Sequence, residues 1–596
     1  MTSSNPFPSG RLRILETTDL HMQVLPYDYF ADRPDPKTGL LQLIGTIADL
    51  RAAPEVTTLL FDNGDFLQGN PLADYIAAHW ETGDTHPMIA ALNTIRYDAI
   101  TLGNHEFNYG LDYLQDVLAD AAFPITCANL RHLDDLDLAG PYLILDRTVT
   151  CSDGQDRPIR VGVIGFLPPQ ITTWDHATLA ERVETEDIVT AAQRIIPKMI
   201  SDGADIIIAL CHSGIEGIGH VDNMENAAVP LAAVPGIDVM LTGHTHELFP
   251  HADATANGPV DPVAGTLHGK PAVMAGFYGG HLGQIDLVLD WTRDGWVISQ
   301  HCSRLRTGAT STDPSAAIIA QHMAPAHKAT LDHIRQPIAT TSGPIHSYFA
   351  DIGHDHAQQL LARAQQDFAR DLLAETPYHD LPILSATSPF RAGGRAGPDH
   401  YVDIAPGPLT LRDAAAIYPF PNTFCALRRT GRQIRDWLQV SAARFAGIAP
   451  GQQDQPLINP RFPGYNHDSL FGISYRIDLQ TSHIVDLTHD GKPVQDDDVF
   501  IVATNSYRAG GGGGIVTDGI PDIVLSTTDA NRDILIAYLR DHPRISVTPQ
   551  PLFQFSPIPG TAATFLSAPA AQDHLPENVF HLGPGPQGFH RYRICF

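Results

Sequence analysis

A chain of 596 residues exceeds the size at which one hydrophobic core stops growing, so two or more domains are expected. Its apolar content of 43% includes no run near the ~18 residues needed to cross a bilayer, which excludes a helical membrane protein. A net charge of -29 with no offsetting basic run excludes a nucleic-acid polymer as partner and requires any site for small phosphates to create its own positive charge.

The N-terminal stretch MTSSNPFPSGRLRILETTD lacks a basic segment followed by an apolar one, so it does not read as a secretory signal: either the protein stays in the cytoplasm or the chain has lost its signal. The first ~310 residues then show short leucine-rich or β-branched runs, each ending in a polar cluster. Leu12–Leu15 leads into Glu16-Thr17-Thr18-Asp19-Leu20-His21, and Val56–Phe61 into Asp62-Asn63-Gly64-Asp65. Asp98–Leu102 leads into Gly103-Asn104-His105-Glu106, and Ile206–Leu210 into Cys211-His212-Ser213-Gly214. Val239–Leu241 leads into Thr242-Gly243-His244-Thr245-His246. Helix-like stretches such as Leu40–Ala52 and Ala191–Ser201 lie between, which together predict an α/β layered domain with polar side chains gathered at strand ends.

A helix is predicted from Asp313-Pro314 to about Ile334, kinked or broken by Pro325. It forms a linker, 311–340, between a domain at 1–310 and another at 341–596. The second domain starts with a helix-like run, Ala357–Ala374, and a glycine-rich stretch, Arg391–Gly397, and then alternates strands and helices to its end. Six cysteines without a CxxC pair predict neither a disulfide framework nor a thiolate metal site, and read as buried free thiols.

The strand ends carry imidazole, carboxylate and amide groups and no thiolate, a set that suits divalent Zn, Mn, Fe or Co. On extended backbone, the outer residues of D-x-H and H-x-H would point to the same side. Any one of these pieces alone is weak, whereas five in a fixed order are hard to reach by chance. Asp351, His354, Asp355 and His356 mimic a ligand set, but they sit at a predicted helix start that favours Asp for its own reasons.

DLH, GDFLQG, GNHEF, CHSG and GHTH, in this order, resemble the calcineurin-like metallophosphoesterases. The strings ETTDLH and GNHEFNYG resemble the branch of 2',3'-cyclic-nucleotide 2'-phosphodiesterase/3'-nucleotidases, relatives of the 5'-nucleotidases. The resemblance implies a four-layer αββα catalytic domain followed by a 5'-nucleotidase-type α/β domain. It implies one divalent cation held by Asp19, His21, Asp65 and His246, and a second held by Asn104, His212 and His244 with Asp65 as bridge. Two such ions activate a water and polarise the phosphoryl oxygens. In the family, the histidine matching His105 stabilises the transition state or protonates the leaving oxygen. Many 5'-nucleotidases carry Asp where this chain has Asn108, which agrees with the cyclic-phosphodiesterase branch. The family is mostly exported, in contrast with the N-terminal reading.

In the second half, Ser388–Arg395, Tyr418–Thr423 and Ala503–Ala509 resemble the family's nucleotide-specificity domain. By position, Phe420 and Tyr507 match the two aromatics that sandwich a base, Asn422 a base-contacting amide, and Arg391 and Arg395 residues near phosphate or sugar. Gly510–Gly514 lacks a following Lys-Ser/Thr, so it is no P-loop, and it reads as a flexible turn beside Tyr507. The expected partner is therefore a small nucleotide, acted on by a monomer whose two halves rotate about the linker to admit it. A 5'-nucleotidase, a nucleotide-sugar pyrophosphatase and a non-catalytic nucleotide-binding protein are the alternatives.

Overall fold

Strand Ile206–Cys211 is buried along its whole length, as a central parallel strand covered on both faces should be. It pairs in parallel with Asp156–Phe166 on one side and Val239–Thr242 on the other. Lys270–Ala275 extends that sheet in parallel, and shorter strands complete it. The first sheet in chain order is five-stranded, with Ser9–Thr17 at its centre, and the Ile206–Cys211 sheet is the second. Thr57–Asp62 and then Ala99–Ile100 follow in parallel on one side, and the long hairpin His281–Thr292 and Gly295–Thr307 lies antiparallel on the other.

The computed structural model describes residues 7–81, 83–133, 138–251, 256–308, 312–420, 422–516, 522–547 and 550–596. The chain forms two compact units, Met1–Leu331 and Asp332–Phe596. In the first, Leu12, Ile14, Leu59 and Phe61 of one sheet pack into one core with Val161, Val163, Ile208, Leu210 and Leu241 of the other. Each such side chain contributes roughly 1.5–3 kcal/mol on full burial. Helix Ile188–Ser201 covers the outer face of the second sheet with Ile188, Ala192, Ile195 and Met199, a one-sided helical stripe. Its N-terminus is capped by the Asp187 side chain, which accepts from the Thr190 N–H. Helix Leu40–Arg51 lies against the first sheet, completing the helix–sheet–sheet–helix order.

The predicted domain limit at residue 310 falls within 309–311, outside the described residues. The helix Pro314–Ile334 runs through Pro325 unbroken, which removes the expected break. In the second unit, a five-stranded sheet has Val499–Asn505 between Ile383–Thr387 and Thr423–Thr430. Helices His356–Leu373, Leu411–Ile417 and Asn531–Asp541 share one core with it, and Gly431–Ser441 another. Beyond Asp541 the described residues form strands and short 3-10 turns without an α-helix, so the predicted alternation stops early. Asp355 caps helix His356–Leu373 and Asp351 pairs with Arg444, at 2.9 Å from its Nε. Of the free cysteines, Cys302 is exposed and Cys595 half-buried, where all six read as buried. Among the described residues no helix is long and apolar enough to cross a membrane.

Candidate metal centre

All seven residues read as metal ligands lie just past the ends of strands. Asp19 and His21 follow Ser9–Thr17, Asp65 follows Thr57–Asp62, and Asn104 follows Ala99–Ile100. His212 directly follows Ile206–Cys211, and His244 and His246 follow Val239–Thr242. The first sheet thus supplies Asp19, His21, Asp65 and Asn104, and the second supplies the remaining histidines. The expected strand alternation is not what aligns D-x-H and H-x-H. Asp19, His21, Asp65, His244 and His246 all have positive φ, from 47° to 73°. Each such left-handed residue costs of order 1–3 kcal/mol and persists only where its surroundings impose it. The backbone imposes it here: Asp19 N–H donates to Gly64 O at 3.0 Å and His21 N–H to Asp65 O at 2.8 Å, which ties the first loop to the second. Gly103 is required beside them, because a Cβ there would stand 2.3 Å from Asp65 Oδ1 and 2.8 Å from His212 Nε2.

Three groups of ligand atoms result: Asp19, His21 and His246; His21, Asp65 and His105; and Asp65, His212 and His244. Asp65 belongs to two of them, and the expected non-ligand His105 shares one. Hydrogen bonds at the ring backs fix the tautomers. His21 Nδ1 donates to Gln68 O at 2.6 Å, and His212 Nδ1 to Asn63 O at 2.7 Å. In its neutral form each ring therefore turns a bare Nε2 lone pair inward. His21 Nε2 stands 3.0 Å from His246 Nε2, and His212 Nε2 stands 3.0 Å from Asp65 Oδ2. His244 is turned the other way. Its Nε2 lies 2.8 Å from Glu225 Oε1, and its Nδ1 faces Asn104 Oδ1 at 2.9 Å. With these rings neutral, acceptor atoms face each other in a buried site and repel, and a proton or a divalent cation among them removes the repulsion. The donor set therefore fits a divalent cation without thiolate ligands.

The electrostatics agree. Burial alone would lower the pKa of His212, yet Asp65 and Asp19 outweigh it and push it up to about 10. His21, buried and crowded by His246 and His105, is pushed down to about 3 and stays neutral. The carboxylates thus create a field that asks for positive charge, met by a proton on His212 or by a cation in its place, with His21 neutral beside it.

Two further carboxylates support the centre, and sequence reading assigned neither a role. Glu106 is fully buried and accepts four backbone N–H groups, from Asp65, Phe66 and Leu67 in one loop and Gly103 in the other, at 2.6–3.1 Å. Burial and the neighbouring Asp65 charge push its pKa up to about 7, against the N–H groups, which favour the charged form. Glu225 holds the back of His244. Outer partners of this kind are worth about 10–100-fold in metal affinity. Glu225→Gln is therefore expected to weaken cation binding by about that factor with an unchanged fold, as read by competition with a chromophoric chelator.

His105 Nδ1 lies 2.6 Å from Asn108 Oδ1, and its Nε2 lies 4.0 Å from Asp65 Oδ2. Burial lowers the His105 pKa, opposed by Asp65 and by the Asn108 bond, which makes its cationic form a stronger acid. Asn108 Nδ2 continues to both carboxylate oxygens of Asp175, at 3.1 and 3.2 Å. Aromatic rings flank the centre: Phe277 stacks on His246 at 4.8 Å and Trp174 on His244 at 5.9 Å.

The second unit places the remaining candidates. Phe420 is half-buried, its ring meeting Phe390 edge-on at 5.3 Å. Asn422 sits beside Tyr418, and its backbone carbonyl accepts from Asn531 N–H at 3.0 Å. Tyr507 is half-buried on the short helix Ser506–Ala509, with the Arg508 guanidinium 5.4 Å from its ring centre. Arg391 is buried and Arg395 exposed, on the turn Gly394–Ala396. The glycine run is more than a loose turn. A Cβ at Gly512 would come within 2.5 Å of the Tyr507 ring, so this backbone is fitted to the aromatic.

A two-sheet sandwich with histidines, carboxylates and an amide gathered at its strand ends defines a metal-dependent phosphoesterase. The chain belongs to the calcineurin-like phosphoesterase/5'-nucleotidase family. The family described as calcineurin-like phosphoesterase matches residues 12–248, and the 5'-nucleotidase C-terminal domain matches residues 337–518. A 2',3'-cyclic-nucleotide 2'-phosphodiesterase/3'-nucleotidase of Yersinia enterocolitica is 38% identical over 577 residues, covering 92% of this chain and 88% of that one. The trifunctional nucleotide phosphoesterase protein YfkN of Bacillus subtilis is 36% identical over 99% of this chain, which spans only 42% of that relative's length. In fold, the crystal structure of a 5'-nucleotidase precursor from Thermus thermophilus superposes with a TM-score of 0.61 at 17% identity, over 91% of this chain and 99% of that one.

Proposed function

We propose that the chain hydrolyses phosphate esters of nucleotides with two divalent cations, as a 2',3'-cyclic-nucleotide 2'-phosphodiesterase with 3'-nucleotidase activity. The observation that carries this reading is the set of inward-facing imidazole nitrogens and carboxylate and amide oxygens 2.9–3.0 Å apart, drawn from separate strand ends. Asp19, His21, Asp65 and His246 would hold one ion, and Asn104, His212 and His244 the other, with Asp65 between. Such ions supply Lewis-acid polarisation of the phosphoryl group and an activated nucleophile at neutral pH.

The chain's own residues do the rest. His105 carries a proton at Nε2 toward the leaving ribose oxygen, with Nδ1 held by Asn108. Phe420 and Tyr507 would clasp the base, at roughly 1–3 kcal/mol per stacked face. Asn422 would read the base edge, and Arg391 and Arg395 would meet phosphate or sugar. The Yersinia relative's name and the amide partner of His105 support the 3' over the 5' ester.

The test is turnover of 2',3'-cyclic AMP, 3'-AMP and 5'-AMP side by side, with Mn or Co added and after chelation. Cyclic and 3' substrates should be cleaved at least about tenfold faster than 5'-AMP, a difference of roughly 1.4 kcal/mol in barrier, and chelation should stop all three. A strong 5' preference would make the protein a 5'-nucleotidase, and activity that survives chelation would remove the cations from the reading.

A further inference from the structure

The segment Ile171–Leu179, two short helices joined at Asp175, touches the centre twice. Trp174 stacks on His244, and Asp175 takes the Asn108 amide. Asp175 precedes helix His176–Leu179 in the position where an aspartate ordinarily caps the first turn, yet its side chain makes no cap bond. Among the described residues its carboxylate accepts from Asn108 alone, through both oxygens. The carboxylate is half-buried and lies far from the ligand motifs in sequence.

An amide can present either its oxygen or its nitrogen to a ring, and a neighbour decides which. Both Asp175 oxygens accept from the Asn108 nitrogen, and although burial pushes the Asp175 carboxyl up to about 7, its ionised form above that pH only accepts and so claims the amide nitrogen. The amide oxygen must then face His105 Nδ1, which must carry hydrogen and donate. With Nδ1 fixed in that bond, the ring is anchored with Nε2 toward Asp65 and the reacting groups.

We infer that Asp175 is a positioning residue for His105, acting through Asn108. It occupies, one amide further out, the place of a carboxylate that would contact the histidine directly. The inference rests on the reading that His105 protonates the leaving oxygen. In that step the bond from water oxygen to phosphorus forms and the phosphorus–ribose oxygen bond breaks. The Nε2 proton passes to the ribose oxygen, and a proton released by the attacking water restores it over the cycle. His105 keeps its Nδ1 hydrogen on Asn108 throughout.

The experiment compares 3'-AMP, whose alkoxide must be protonated on leaving, with 4-nitrophenyl phosphate, whose leaving group needs no proton. It uses the full chain loaded with Mn. Asp175→Ala and the isosteric Asp175→Asn should lower kcat on 3'-AMP by about 10- to 100-fold at similar KM, with 4-nitrophenyl phosphate changed by less than about threefold. Asn108→Asp in the Asp175→Ala background places a carboxylate directly on Nδ1 and should restore most of the loss. An equal fall on both substrates would assign Asp175 a merely structural role, and no fall on either would overturn the proposal. Failure of the unsubstituted protein to cleave 3'-AMP, with 4-nitrophenyl phosphate still cleaved, would instead strike the nucleotidase reading.

Discussion

Asp65→Asn is expected to lower kcat/KM on 3'-AMP by about 10³-fold or more and to release at least one of the two proposed cations. Asp65 is the carboxylate common to two ligand groups, and its Oδ2 lies 3.0 Å from His212 Nε2. Its conformation is over-determined: its N–H donates to Glu106 at 2.8 Å, and its Oδ1 accepts from the His105 N–H at 2.8 Å. Asparagine keeps the shape and the Oδ1 bond, so the fold should survive. What it loses is the charge between two positive ions, and transition-state stabilisation by such ions is worth several kcal/mol, with each 1.4 kcal/mol a factor of ten. Metal content by mass spectrometry, together with kcat/KM, is the measurement. Two tightly held ions and near-normal turnover in the variant would show that Asp65 does not bridge.

Glu106→Gln should be the most destabilising conservative change near the centre. One carboxylate oxygen accepts Phe66 and Leu67 N–H, and the other accepts Asp65 and Gly103 N–H. Glutamine leaves one oxygen and turns an NH₂ group toward two donors that water does not reach. Hydrogen bonds to a charged acceptor contribute about 1.5–3 kcal/mol each, so a loss of roughly 3–5 kcal/mol is expected. A shift of the denaturant midpoint of the metal-free protein reads it without interference from ion binding. A midpoint within about 0.5 kcal/mol of the parent would mean that the two loops are held by something else. The fall in activity should follow, because this residue sets the position of Asp65 against Gly103.

The residues that gather at the strand ends were legible in the sequence because each piece is local: a strand's apolar run, then a polar pair within a few residues. Order along the chain did the rest. The means by which those residues meet was not legible. Left-handed backbone at Asp19 and His21 goes against the ordinary preference of those residue types, and the bonds to the Gly64 and Asp65 carbonyls hold it. The tautomers are set by the carbonyls of Asn63 and Gln68, which carry no side-chain signature. Glu106 stood within the GNHE motif yet was passed over, because its partners are backbone groups some 40 residues upstream. Asp175 and Glu225 lie in segments with no motif at all. Pro325 does not break the helix, which runs on through it, so only a kink is left of that expectation.

The two sheets divide the centre between them, and this has a bearing on how the protein acquires its ions during synthesis. Residues Asp19, Asp65 and Asn104 belong to one half of the sandwich, and His212, His244 and His246 to the other, about 100 or more positions later in the chain. Neither half alone can present a complete coordination shell. In small zinc domains the ion drives the collapse. Here the apolar faces must join first, so ion capture should be a late event that seals an already assembled sandwich. An ion added to the nascent N-terminal half would find only a partial, weak and exchangeable site.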